Sequence, residues 1–110
     1  MKVSADDNLK SHVEMVILAA LERGPRHGYS LIELIRQLSG GVLSFQEGTV
    51  YPLLHRMEHK GVILSEWETP PEGRKRKVYQ LTDAGTCELA KQRNAWTNYS
   101  GAVSTILQRP

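Results

Sequence analysis

The chain has one cysteine, Cys87, and one phenylalanine among its 110 residues. A lone thiol excludes an internal disulfide framework and fits a reducing compartment. No apolar run exceeds the seven residues from Met15 to Leu21, against the roughly 20 that a membrane helix needs. Lys2, Asp6 and Asp7 stand where a secretory leader would be apolar, so export is not indicated and a cytoplasmic location is expected. Neither sign of charge dominates: fourteen Lys and Arg face twelve Asp and Glu, for a net +2. There is no internal repeat, no low-complexity stretch, no Gly-rich phosphate loop and no serine nucleophile elbow. What is there is 40% apolar and 24% charged residues, a globular composition at the length of one domain, residues 1–110.

Periodicity divides that domain. Leu9, Val13, Val16, Ile17, Ala20 and Leu21 recur at helical spacing and stop at Gly24-Pro25. Tyr29, Ile32, Ile35 and Leu38 predict a second helix ended by Gly40-Gly41. Val50, Leu53, Leu54 and Met57 predict a third, with Gly61 as its C-terminal cap. Its start has two readings. Ser44-Phe45-Gln46-Glu47 has the form of a capping box, which puts Pro52 inside the helix. Thr49 as N-cap instead leaves Pro52 in the first turn. Residues 62–68 and 77–81 are strand candidates joined by the turn-rich Thr69-Pro70-Pro71-Glu72-Gly73-Arg74, a hairpin with a long tip. Thr82 is placed to cap a last helix that runs almost to Arg109. The fold class is α+β, mainly α. Three helices and a β-hairpin wing over residues 8–81 form a winged helix-turn-helix, and residues 82–110 add a long C-terminal dimerisation helix.

At about 100° per residue, Val50, Leu53, Leu54 and Met57 share one side of the third helix. Pro52, His55, Arg56 and His59 share the other, with Gly48, Thr49 and Tyr51 near its edge. An outer face that is polar, basic and aromatic suits a DNA major groove. Arg56 has the chemistry to reach a guanine edge or a phosphate, Thr49 and Tyr51 to reach phosphates, and Pro52 to rest on a thymine methyl. At the wing, Arg74, Lys75 and Arg76 suit the flanking backbone or minor groove. An ordinary solvated face is the plain alternative for both elements.

His27-Gly28-Tyr29-Ser30-Leu31-Ile32 resembles the His-Gly-Tyr-Glu-Leu signature of PadR-type transcriptional regulators. The segment from Gly48 to Glu58, GTVYPLLHRME, is similar to that family's Gly-Thr-Leu-Tyr-Pro-x-Leu-x-Arg-Leu-Glu. Gly61-Val62-Ile63, Ser65-Glu66-Trp67, Arg76-Lys77-Val78-Tyr79 and Leu81-Thr82-Asp83-Ala84-Gly85 follow in order, so the resemblance spans residues 9 to 107. It implies a cytoplasmic winged-helix repressor, homodimeric, of the subfamily with a single C-terminal helix. Ser30 and Val78 stand where the family usually has Glu and often has Tyr.

Leu89, Trp96, Tyr99, Val103 and Ile106 repeat with heptad-like spacing, broken by Gln92. A stripe of that length needs a covering surface, and a second copy supplies it, so a homodimer on a pseudo-palindromic operator is expected. In some short family members a tryptophan on this helix lines a cavity between subunits, so the resemblance points to Trp96, with Tyr99 one turn on, as a site for a planar hydrophobic effector. The plainer role for Trp96 is dimer packing. His55-Arg56-Met57-Glu58-His59 matches the inverted zinc-protease string H-x-x-E-H. It offers no third ligand, and the outer face of a recognition helix accounts for the same residues. No enzyme activity, metal or cofactor is therefore expected. Cys87 reads as a small packed side chain. Two other readings stay open: a winged helix used for protein contacts without DNA, and a drug-sequestering dimer.

Overall fold

The computed structural model describes residues 10–108; the start placed at residue 8 and the chain's last two residues lie outside them. In order come α1 (Lys10–Leu21), β1 (Arg26–His27), α2 (Gly28–Leu38), α3 (Glu47–His59), β2 (Ile63–Glu68), β3 (Arg76–Leu81) and α4 (Asp83–Leu107). The strands form one antiparallel sheet in the order β1-β3-β2. Three helices, a hairpin wing and a long last helix make the expected winged helix-turn-helix. β1 has no counterpart among the sequence signals, because two residues are too short to show alternation.

The core gathers one face from each element: Ile17 and Leu18 of α1, Leu31 and Ile35 of α2, Val50, Leu54 and Met57 of α3, and Ile63 of β2. Leu89 joins them, with 1% of its surface exposed. This corrects its assignment to a partner-facing stripe. The first turns of α4 lie against α1 and β3 of the same chain, so the covering surface there is the chain's own. Cys87, two residues earlier, is exposed rather than packed. Two residues are about 200° of helix, which turns Cys87 away from the side that buries Leu89.

Two local devices set the third helix and the wing. α3 begins at Glu47 after Gln46, which makes no side-chain cap. Neither the Ser44 box nor a Thr49 cap forms, and Pro52 lies inside the helix. At its other end Gly61, at φ 82°, closes a Schellman motif: Val62 N–H donates to the Met57 carbonyl at 3.2 Å and Gly61 N–H to the Glu58 carbonyl at 3.0 Å. The chain passes directly from that cap into β2. The Thr82 hydroxyl donates to the Gly61 carbonyl at 2.6 Å and accepts from Gly85 N–H at 3.0 Å, so one side chain caps α4 and pins it to the end of α3.

Gly85 makes that junction possible, because a Cβ there would overlap the Val62 carbonyl oxygen, a backbone atom that cannot turn aside. Gly85→Ala is expected to lower stability by about 1–3 kcal/mol through overpacking. Gly48→Ala, in a helical position with open space around its Cβ site, is expected to raise it by about 0.5–1 kcal/mol. Thermal unfolding of the two variants checks both signs.

Candidate nucleic-acid interface

α3 buries Val50, Leu53, Leu54 and Met57, and turns Tyr51, Pro52, His55, Arg56 and His59 outward, with Thr49 half-buried at the edge. Glu58 on the flank is taken up by the fold: its carboxylate accepts from the Ser65 hydroxyl at 2.6 Å. The outer face therefore displays hydroxyl, imidazole, ring and guanidinium groups, while the acids lie at its ends and flank.

Tyr51 is set by α2. Its ring lies over Gly28, where a Cβ would come within 2.6 Å of the ring carbons Cε1 and Cζ. Burial, and then the Glu47 charge, push its phenol above the ordinary value, so the hydroxyl is protonated and able to donate. His27, the preceding residue, caps α2 through Nδ1, which accepts from Ser30 N–H at 3.3 Å. Its backbone pairs opposite Val78 of β3. The His27-Gly28 pair thus joins helix cap, sheet and α3 at one corner.

Arg56 does not stand free. Its Nε donates to Glu14 of α1 at 3.1 Å, its Nη2 reaches the same oxygen, and Lys60 Nζ donates to the other oxygen at 2.8 Å. Half of the Arg56 side chain stays exposed, yet the fork that would grip a guanine is partly used. Burial pushes the Glu14 carboxyl up, but hydrogen bonds from Lys60 and Arg56 and their charges outweigh it and hold the carboxyl below its usual range. Sequence reasoning missed Glu14, because an acid inside an apolar helical stretch carries no sign of its partners 42 and 46 residues away.

The wing divides its cations. Arg74 and Lys75 lie exposed in the tip, outside both strands, and have no ion-pair partner among the described residues. Arg76 sits on β3 opposite Glu68 and is paired with it at 3.0 Å. Lys77 lies over the Trp67 ring, 5.6 Å from its centre. Between the start of α2 and the wing, Tyr29, Tyr51, Trp67, Arg76 and Lys77 line a cleft of ≈ 460 Å³. Tyr29, read from sequence only as part of the apolar stripe of α2, is exposed here, and Trp67 and Lys77 had no site role from sequence, since only the fold brings α2 beside the hairpin.

Residues 17–91 match the transcriptional regulator PadR-like family. A PadR-like transcriptional regulator of Bacillus cereus is 30% identical, with a TM-score of 0.80 over 96% of this chain and 100% of that one. A PadR-like transcription factor of Bacteroides fragilis is 30% identical, with a TM-score of 0.74 over 88% and 91%. The transcriptional regulator Rv3488 of Mycobacterium tuberculosis is 40% identical over 62 residues, 56% of this chain and 57% of that protein. The chain belongs to the PadR-like family of transcriptional regulators.

Membership makes it a regulator and not an enzyme, and the H-x-x-E-H string falls on the solvent side and flank of the PadR-like α3. Among the described residues no three His, Cys, Asp or Glu side chains converge as a metal site, and no helix is long and apolar enough to cross a membrane.

The aromatic residues of α4 do not line the cleft between α2 and the wing. Trp96 makes an edge contact with His12 of α1, ring centres 5.0 Å apart, and lies 6.3 Å from Tyr99. Beyond it Val103 is half-buried, whereas Tyr99 is 63% and Ile106 72% exposed.

The His27 cap predicts a pH response. Burial first and then the Arg76 charge lower its pKa; an opposing pull from Glu68 is next in size, and Arg26 adds a smaller lowering. The unfolded chain takes up this proton near the ordinary 6.5, the folded chain only below it. The cap's contribution is therefore complete above 6.5 and lost as pH falls from there through the lowered folded value. In His27→Asn, which caps without titrating, that part of the decline in melting temperature is expected to vanish between about pH 7 and pH 5.

Proposed function

We propose that the chain is a sequence-specific DNA-binding repressor that acts as a homodimer on a pseudo-palindromic operator in the cytoplasm. The observation that carries this reading is the outer face of α3, with Tyr51, Pro52 and His55 exposed beside Thr49 and the exposed cations Arg74 and Lys75 on the adjoining wing. Thr49, Tyr51, Pro52 and His55 are assigned to the major groove, N-terminal end first, with the outer edge of Arg56. Arg74, Lys75 and Arg76 are assigned to the flanking backbone.

Tyr99, Ile106 and Leu107 leave an uncovered apolar stripe on α4 that favours pairing with a second copy. Trp96 and Val103 belong to the same surface. Two-fold pairing puts the reading helices about one DNA turn, ~34–36 Å, or a multiple of it apart. His12, Met15, Gln92, Ala95, Trp96 and Tyr99 line an open, largely apolar groove of ≈ 370 Å³ between α1 and α4. Its shape supports a planar hydrophobic effector against Trp96 and Tyr99 that relieves repression by shifting the spacing of the two reading helices.

Selection of duplexes from a random pool tests the reading. A two-fold symmetric consensus is expected, with affinity falling steeply with salt. Replacing Arg74 and Lys75 by Ala is expected to make the log–log salt slope shallower by about 0.9 for each phosphate that is no longer neutralised. His55→Ala is expected to relax one base position at a cost of about 1–3 kcal/mol. Failure to bind any duplex at low salt overturns the proposal in favour of a protein-contact module.

Ile106→Glu with Tyr99→Glu is expected to shift sedimentation from dimer to monomer. With Trp67→Phe removing the other indole, quenching of Trp96 by a planar cationic dye is expected, and a flat titration removes the effector site.

A further inference from the structure

Glu14 is the one charged residue that the fold buries among the described residues. It sits on α1 between the core residues Val13 and Ile17. Burying a carboxylate is costly, and an apolar side chain of similar volume in such a place is often as stable or more so. Stability alone is thus a weak reason for an acid here. What the acid does hold is the C-terminal half of α3: one oxygen takes two nitrogens of Arg56, the other takes Lys60 Nζ. Arg56 in the last turn of α3 and Lys60, its C-cap, are four residues apart, and each keeps about half of its side chain in solvent, 49% and 50%. Both charged ends are thus held against Glu14 while about half of each side chain stays open to solvent.

We propose that Glu14 is a positioning residue for operator reading, which locks the Arg56 guanidinium in one orientation and cancels one of the two positive charges at that end of α3. The inference rests on the DNA-binding reading above. Two consequences follow from the geometry. Arg56 is ordered before DNA arrives, so an orientation-dependent contact costs less to form. The trio carries a net +1 instead of the +2 that Arg56 and Lys60 would carry alone, so base-independent attraction to phosphates is damped. Both effects favour the correct sequence over a random one.

The experiment measures affinity for the selected duplex and for a scrambled duplex of equal length across a salt series. It uses the wild-type chain, Glu14→Gln and Lys60→Gln, each checked for folding by circular dichroism. Glu14→Gln is expected to bind the scrambled duplex more tightly at low salt, with a slope steeper by about 0.9 per chain. Its preference for the selected duplex is expected to fall roughly fivefold to tenfold, the size of one oriented hydrogen bond. Lys60→Gln keeps the Arg56–Glu14 pair and is expected to do the reverse, with a shallower slope and an undiminished preference.

A folded Glu14→Gln with wild-type slope and preference overturns the proposal and leaves Glu14 a structural residue. If that variant does not fold, Lys60→Gln decides: an unchanged slope or a reduced preference overturns it. A wild-type chain that binds no duplex removes the DNA-binding reading itself, an outcome distinct from either.

Discussion

Four side chains on one edge of α3 determine what the rest of the molecule presents. Val50, Leu53, Leu54 and Met57 are buried against α1, α2 and β2, and a helix that turns them inward has no freedom left in the rotation about its own axis. Tyr51, Pro52 and His55 face outward as a consequence. The rigidity of the outer face is inherited from the packing of the inner one, since a close-packed core transmits any rotation as strain.

That rotation needs a fixed position along the chain as well, and two glycines supply it through what they leave out. Gly28 yields the space taken by the Tyr51 ring, and Gly85 yields the space taken by the Val62 carbonyl. The first joins the start of α2 to the start of α3. The second joins the start of α4 to the exit from α3, with Thr82 bonded across the same seam. Sequence segments that look like separate motifs are thus pairs of surfaces in contact: His27-Gly28 with Tyr51, and Gly61-Val62 with Thr82 and Gly85.

α4 has two mechanical roles in one continuous helix. Its first turns close the core through Leu89, and the Arg93–Glu22 ion pair at 2.8 Å ties its middle to the end of α1. That pair is exposed and worth little by itself. Farther on, Tyr99, Ile106 and Leu107 extend an apolar surface that the same chain does not cover. Because α1 meets both Trp96, through His12, and α3, through Glu14, it is the element common to the groove and the outer face of α3.

The 110 residues by themselves determined the helices and the wing, though not the capping of α3 at its start, because apolar spacing of 3.6 or 2 and the punctuation of Gly24-Pro25, Gly61 and Thr82 are local signals that survive without the fold. They also determined which side of α3 faces out, since its four apolar residues admit one buried face. Three things were decided only by tertiary structure. Leu89 belongs to the chain's own core, β1 exists because β3 offers it an edge, and Arg56 is tied to a carboxylate 42 residues away. The physical reason is common to all three: periodicity says that a face must be covered and a charge must be paired, but only the packed chain decides by what.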